Sequence, residues 1–414
     1  MGLPKHWSEV NLFDLCKPKQ WKTIAVKNLT KDGYVVYGAN GKIGFFSTYT
    51  HENPTLMITC RGASCGNVHI SEPLAYINGN AMALDELSLY VDLKFMYYYL
   101  RSRDFNDVIS GSAQPQITQE GIKVINVPLP PLNEQRRIAK KLDELLATVE
   151  SIKTRLDNAP TIIKRFRQSI LSAATSGDLT SEWREENGII DEWENIYLEN
   201  IIIDRPRNGY SPKGVDYETP IKNLTLSATT SSVFKDNCYK YVDIEVDDDS
   251  HLWINNGDIL IQRANSLEYV GVSAIYKGIS KKYIYPDLMM KVIANRDFII
   301  TKYLHYSLLS MNTRQYFRTN TTGTAGNMPK INQKVVMKTP IQLPSLLEQK
   351  EIVSQVESLF ALADTLEEKI EAAKKRVDKL TQSILAKAFR GELVEQDPND
   401  KSAEKLLEKI KNEG

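Results

Sequence analysis

At 414 residues the chain is longer than one hydrophobic core usually serves, so two or more domains are expected, and its 42% apolar and 25% charged content suits a water-soluble globular protein. Its 52 basic and 52 acidic side chains cancel, which removes the global-charge argument for a nucleic-acid partner and leaves any such case to local distribution. No run approaches the ~18 apolar residues of a membrane span, "MGLPKHWSEV" lacks a signal peptide's apolar stretch, and Cys16, Cys60, Cys65 and Cys238 are too sparse for a disulfide framework, so a cytoplasmic protein is expected.

In chain order, residues 1–130 hold short apolar runs bounded by Gly, Asn and Pro: "YVVYG" at 34–38, "TLMITC" at 55–60 and "AYING" at 75–79. Such runs predict strands and tight turns, and the aromatic stretch 89–103 predicts an amphipathic helix. The proline-led "PLPPLNEQRRI" then opens a long helix over 131–177. Residues 178–343 repeat the mixed pattern, with "GDILIQ" at 257–262 as a strand and 300–318 as a helix, before a second long helix over 344–390 and a tail over 391–414 with one short helix. Strands and helices do not alternate as a parallel βαβ fold requires, so the class is α+β.

The two long segments are copies of each other. At a constant offset of 214, Pro115 falls on Pro329, Pro130 on Pro344, Glu134-Gln135 on Glu348-Gln349, and "QSIL" at 168–171 on "QSIL" at 382–385. Apolar residues at Ile138, Leu142, Leu145, Val149, Ile152, Leu156, Ala159, Ile163, Phe166 and Ile170 alternate steps of four and three. Ile352, Val356, Leu359, Ala363, Leu366, Ile370, Ala373, Val377, Leu380 and Ile384 do the same, which is the seam of a coiled coil, about 48 Å long at the helical rise. Each copy ends at a glycine, Gly177 or Gly391. Pro160 inside the first copy predicts a kink or short break rather than a domain boundary. Copies paired within one chain about a pseudo-twofold axis would run antiparallel, with a globular domain at each end, while the periodicity alone is equally compatible with parallel pairing or dimerisation.

The repeat extends loosely into the globular parts: "LMITCRGASCGNV" at 56–68 resembles "ILIQRANSLEYVGV" at 259–272, aligning Arg61 with Arg263 and Gly66 with Gly271. Layout is shared while polar side chains differ. Enzyme signatures are missing from the sequence. There is no Walker motif, "GANGKIG" at 38–44 has the wrong glycine spacing for a dinucleotide loop, and "LPPL" has neither the acid nor the ring of an adenine methyltransferase motif. Cys60 and Cys65, with His51 and His69 nearby, lack the second pair that a zinc site needs, so no metal or catalytic residue is assigned.

At "PLPPLNEQRRI", "FRQSILSAATSGDLT" and "QSILAKAFRGELVEQDPND" the sequence resembles the specificity subunit of type I restriction–modification systems, and the resemblance covers essentially the whole chain. It implies two globular α/β target-recognition domains, 1–130 and 178–343, separated by an antiparallel two-helix coiled coil with an internal pseudo-twofold repeat. It also implies a non-catalytic subunit that reads a bipartite, asymmetric site in double-stranded DNA, one half per domain, with the helices setting the spacer. The family's partners are two modification (methyltransferase) and two restriction (endonuclease and translocase) subunits, to which S-adenosylmethionine, ATP and Mg belong; no cofactor is expected on this chain and no membrane is involved. An adaptor using the coiled coil to hold two domains that bind something other than DNA is the alternative.

Base reading needs directional donors and acceptors, and phosphate holding needs Lys, Arg or backbone amides. The candidates in the first domain are Arg61 and Asn67, with Lys42, Gln114 and Gln116. In the second they are Arg263, Gln262 and Asn265, with Arg318, Asn327 and Lys330. Arg61 and Arg263 rank first because the internal alignment superposes them. The basic run Arg136, Arg137, Lys140 and Lys141 is the candidate surface for partner subunits, and the amphipathic "AEKLLEKI" is expected to close onto the amino-terminal domain.

Overall fold

The computed structural model of the chain describes residues 3–39, 41–111, 114–190, 192–323 and 328–413. The chain divides into two compact units, one of residues 1–157 and 371–414, the other of residues 158–370.

In the first unit a four-stranded sheet runs Lys17–Gln20, Ala81–Asp85, Leu56–Thr59, Val68–Ile70, antiparallel throughout. In the second the order is Arg207–Asn208, Met289–Val292, Ile259–Gln262, Ser273–Ile275, again antiparallel. The topology is the same. Leu56–Thr59, Ile259–Gln262 and Met289–Val292 are buried at every residue, so both faces of each strand carry apolar side chains, and the polar exceptions Thr59, Gln262 and Lys291 are themselves buried. Each unit adds a two-stranded ribbon that leads into a long helix: Ser8–Asn11 with Asn126–Leu129, and Glu194–Tyr197 with Pro340–Leu343. The third sheets differ. The first unit pairs Tyr34–Gly38 antiparallel with Gly41–Phe46 and parallel with Tyr76–Ile77, whereas the second has three antiparallel strands.

The helix predicted over 89–103 is Leu93–Ser102, capped by Asp92, whose carboxylate accepts from the Lys94 and Phe95 amides. The single helix predicted over 300–318 is two, Thr301–Leu309 and Met311–Thr319. Ser310 divides them because it leaves helical geometry at ψ 153° and its hydroxyl caps the second helix at the Thr313 amide.

The long helices span Leu132–Ser176 and Leu346–Phe389. The first runs through Pro160 without interruption, and the proline is exposed, so water can satisfy the carbonyl that loses its amide partner. The two units divide between Asp157 and Asn158, next to that proline. Inside each unit the helices pack antiparallel. In the first unit Ile138, Ala139 and Leu142 bury against Leu385 and Ala388, and Lys153 pairs with Asp378 at 3.4 Å and Asp157 with Lys374 at 2.9 Å. In the second, Ile170, Leu171 and Ala174 bury with Ile352, Val353 and Val356, and Arg167 pairs with Asp364 at 2.6 Å. Most predicted seam positions are buried or half-buried, but Ile152, Leu366 and Leu380 are exposed.

The repeated Glu-Gln pair anchors each helix start. Gln135 Oε1 accepts from the Asp92 amide at 2.8 Å while its Nε2 donates to the Pro130 carbonyl at 2.9 Å. Gln349 does the same with the Ile300 amide and the Pro344 carbonyl, at 2.8 and 2.9 Å. Glu134 accepts from Trp7 Nε1 and Glu348 from Trp193 Nε1, both at 3.0 Å. These four Glu and Gln side chains are buried, and the pairing explains why the dipeptide recurs: each side chain satisfies groups that the strand-to-helix corner would otherwise strand.

The tail helix Ala403–Glu413 closes onto the amino-terminal part of its own unit, as expected. Its Ile410 joins the core of Val10, Leu12 and Leu15, the Ala403 amide donates to the His6 carbonyl, and Asp400 meets Arg137 at 2.7 Å.

Candidate nucleic-acid interface

In the first unit the strand Leu56–Thr59 leaves the sheet into a turn fixed by its backbone: the Thr59 amide donates to the Asn67 carbonyl and the Gly66 amide to the Thr59 carbonyl. Gly66 sits at φ +92°, with Phe105 beneath it. Two further segments come against this turn. The Gly62 amide donates to the Pro115 carbonyl and the Ile117 amide to the Cys60 carbonyl, which bridges Arg61 to Gln116. The Ala39 carbonyl accepts from the hydroxyls of Thr59 and Ser64. The structure thus gathers Arg61, Asn67, Gln114 and Gln116, all exposed, along one edge, with Lys42 on the adjoining hairpin. Lys42 is already ion-paired with Glu72.

The second unit repeats the corner. The Gln262 amide donates to the Val272 carbonyl, the Gly271 amide to the Gln262 carbonyl, and Gly271 lies at φ +76° over Phe317. The Ile331 amide donates to the Arg263 carbonyl, and Ala264 bridges to Lys330. These matched bonds correct the internal alignment by one residue. Thr59 corresponds to Gln262, Cys60 to Arg263 and Arg61 to Ala264, so Arg61 and Arg263 are not equivalent. The equivalence is one of backbone and not of burial, since Arg61 is exposed where Ala264 is buried.

Gln262 does not reach the surface. It is wholly buried, its Nε2 donates to the Leu226 carbonyl at 3.0 Å and to the Thr229 and Thr230 hydroxyls, and its Oε1 accepts from Asn265 Nδ2 at 2.7 Å. Its role is to hold the 226–230 turn and Asn265. Arg263 is half-buried and donates to the Asp287 carbonyl at 3.2 Å, Arg318 is exposed and donates to the Leu267 carbonyl, and Lys330 is exposed. Asn327 lies outside the described residues. Of the basic run, Arg136, Lys140 and Lys141 are exposed, but Arg137 is half-buried and held by Asp400, so it braces the tail.

The corner also holds groups that the sequence reading passed over. Arg314 is buried in the second unit and donates to the Val270 carbonyl at 2.5 Å and the Glu268 carbonyl at 2.8 Å; burial and then the Arg318 charge lower its pKa to about 10. In the first unit a cavity of about 530 Å³ beside the turn is lined by Asn67, His69, Tyr97, Arg101 and Arg103 among others. The only available signal was the placement of Tyr97 and Arg101 one helical turn apart.

Cys60 is fully buried, raised in pKa by that burial, and accepts from Gln20 Nε2, while His51 faces Asp85 at 2.8 Å. Among the described residues no group of three or more His, Cys, Asp or Glu is placed to hold a metal ion, and no helix is long and apolar enough to cross a membrane.

Residues 4–160 and 191–375 match the family model described as the type I restriction modification DNA specificity domain. The chain belongs to the type I restriction–modification DNA specificity family. Within it, the chain is 32% identical over 449 aligned positions to the EcoDI specificity subunit of Escherichia coli, covering 99% of this chain and 96% of that one. It is 35% identical over 333 positions to the EcoKI specificity subunit of Escherichia coli K12, covering 77% and 71%. The fold matches the crystal structure of the HsdS subunit from Thermoanaerobacter tengcongensis at a TM-score of 0.61 and 18% identity, over 95% of this chain and 99% of that one. A chain from a structure addressing complex assembly and conformational transition of the type I R-M system gives 0.65 at 17% identity, over 95% and 100%.

Proposed function

We propose that this specificity-family chain is the non-catalytic DNA reader of a type I restriction–modification complex, each unit taking one half of a bipartite target. The observation that carries this reading is the matched pair of corners. The same strand order and the same backbone bonds present different side chains: Arg61, Asn67, Gln114 and Gln116 in one unit, Arg263, Asn265 and Lys330 in the other. Reading unlike half-sites demands a constant frame with variable donors and acceptors. The adaptor alternative has no comparable support, since the family's own description is of DNA specificity.

In this reading the exposed faces of the long helices, including Arg136, Lys140 and Lys141, dock two modification subunits, and two restriction subunits join the assembly. S-adenosylmethionine, ATP and Mg are handled by those partners, and double-stranded DNA is the ligand of this chain. The length of the paired helices sets the spacer between half-sites, which lie about 34 Å apart when one turn of duplex separates them.

The test is methylation mapping in cells carrying the assembled system. Arg263→Ala should abolish or relax recognition at positions of one half-site while the subunits still assemble, and Arg61→Ala should do so in the other half. Deleting matched heptads from both helices should shorten the spacer. Unaltered site-specific methylation in all three variants overturns the reading.

A further inference from the structure

The place beside the turn's glycine is filled in one unit and open in the other. In the second unit Arg314 is buried against the turn and closes the space beneath it through the Val270 and Glu268 carbonyls. In the first, Phe105 stands under Gly66 as Phe317 stands under Gly271, but a cavity of about 530 Å³ lies beside it. Two buried nitrogen atoms of its lining residues, His69 Nε2 and Arg103 Nε, have no hydrogen-bond partner. Buried polar atoms without partners are rare, because each loses its hydration uncompensated, so the pair points to a ligand that supplies hydrogen-bonding groups.

Charge names the ligand's sign. Arg103 is ion-paired with Asp107, and the Asp104 carboxylate keeps its charge but is turned to the Asn106 amide and side chain at 2.9 Å, with no cation partnered to it among the described residues. Arg101 is different: it donates to the Tyr97 hydroxyl at 3.2 Å and lies over that ring, and it has no carboxylate partner among the described residues. Arg101 is thus the guanidinium of the lining that has no carboxylate partner among the described residues, and it stands beside the two unpartnered nitrogens.

We propose that this cavity receives one phosphodiester group of the DNA backbone, with Arg101 as its counter-charge and His69 and Arg103 as further donors. The proposal rests on the DNA-reading function above and adds a contact that positions the duplex and does not read bases. Burial and then the Arg101 charge hold the His69 pKa below its usual value, and an anion between them would relieve both effects. Because Arg314 fills the matching place in the second unit, the contact belongs to the first unit alone.

The full-length chain carrying Arg101→Gln tests this, since Arg101 is exposed and its loss leaves the core intact. Binding is followed by fluorescence anisotropy on a duplex carrying the mapped target and on a scrambled duplex, across a salt series. The variant should bind both duplexes about five- to tenfold more weakly at ~0.1 M salt and lose about one from the slope of log K against log salt. Unchanged affinity and slope overturn the phosphate site, as does a change confined to the target duplex, which would make Arg101 a base reader. A second measurement separates this site from the reading it rests on. Titration of histidine-labelled chain followed by NMR should show inorganic phosphate raising the His69 pKa in the natural sequence and not in Arg101→Gln. If the natural chain binds neither duplex while phosphate still moves His69, the anion site stands and the DNA-reading function falls. If phosphate leaves His69 unmoved, the site falls whatever the duplexes do.

Discussion

Where Leu56–Thr59 leaves its sheet, the chain reaches Gly66 through the six residues 60–65; where Ile259–Gln262 leaves the matching sheet, it takes the eight residues 263–270 to reach Gly271. Both corners close through the same amide-to-carbonyl bonds, so their shape is paid for by backbone alone. Side chains then diverge. The Thr59 hydroxyl reaches the Ala39 carbonyl, whereas the Gln262 amide ties down the 226–230 turn; Gly66 borders a cavity, and the space beside Gly271 is taken by Arg314. A frame whose geometry is independent of its side chains can vary them freely, which suits two domains that must read different sequences.

The comparison is sharpened most by its glycines. Both lie at positive φ, but a β-carbon on Gly66 would come to 3.3 Å from Phe105, a distance a small shift relieves, while one on Gly271 would overlap the Phe317 ring and Arg314. Gly271→Ala should destabilise the second unit by about 3 kcal/mol, combining left-handed strain with overpacking, and Gly66→Ala should cost the first about 1–2 kcal/mol. Urea unfolding followed by tryptophan fluorescence measures both, since Trp7 and Trp21 report on the first unit and Trp193 and Trp253 on the second. Equal losses would mean that the two corners are not packed differently.

The helix starts offer the next contrast. Glu348 receives the Trp193 indole, the Thr180 hydroxyl and the Arg184 guanidinium at 2.6 Å, whereas Glu134 has the Trp7 indole and no ion pair among the described residues. Burial accordingly raises the Glu134 pKa, outweighing the Trp7 hydrogen bond. Glu348→Gln should cost the second unit about 2 kcal/mol, less than a wholly buried pair because Arg184 is partly exposed. Glu134→Gln keeps an acceptor for Trp7 and removes a buried charge, so it should be neutral or stabilising. The sign follows from linkage. A carboxyl whose folded pKa is raised disfavours folding once ionised, so this penalty is absent below the ordinary carboxyl range and complete above the raised value. First-unit stability should therefore fall as pH rises from about 4.5 through that raised value, and the fall should be smaller in Glu134→Gln. If chemical denaturation across that range gives the same slope in both, burial of Glu134 is not what distinguishes the helix starts.

The duplicated helices were legible because heptad spacing and the Glu-Gln dipeptide survive as letters in the sequence. The glycine stops at Gly177 and Gly391 and the strands at 34–38, 56–59 and 259–262 follow from patterns of that kind, whereas the antiparallel direction of the helices is decided by contacts such as Lys153 with Asp378 and Asp157 with Lys374. The reading surfaces were less legible. Matching Arg61 with Arg263 obeyed residue identity, while the real equivalence is carried by backbone bonds that no side chain announces. Gln262 looked like a base reader because an amide in a polar turn looks the same whether it faces water or the 226–230 carbonyl. Arg137 looked like part of a basic docking face because its partner, Asp400, lies more than two hundred residues away in sequence. The break at Ser310 was hidden by continuous amphipathic spacing on either side.

The smallest expected effect concerns the way each unit completes itself. In the second unit the segment from Gly177 to Trp193 is continuous chain, so Trp193 reaches Glu348 within one covalent loop. In the first unit the matching pieces come from residues distant in sequence: Gly391 packs on Pro4 and Trp7, and the 391–410 segment is held by Asp400 on Arg137 and Asn133, by the Ala403 amide on the His6 carbonyl, and by Ile410 in the core. Noncovalent closure must offset the entropy of bringing together segments distant in sequence, so each contact there matters more to local opening than to global unfolding. Asp400→Ala removes a half-exposed ion pair and one amide bond, about 1 kcal/mol together. The loss should appear as faster hydrogen exchange and proteolysis across 391–413, with the second unit's 177–200 segment unchanged. Equal protection of both segments in the variant would show that the apolar seat of Ile410 alone closes the first unit, and that the Arg137–Asp400 clasp contributes nothing to it.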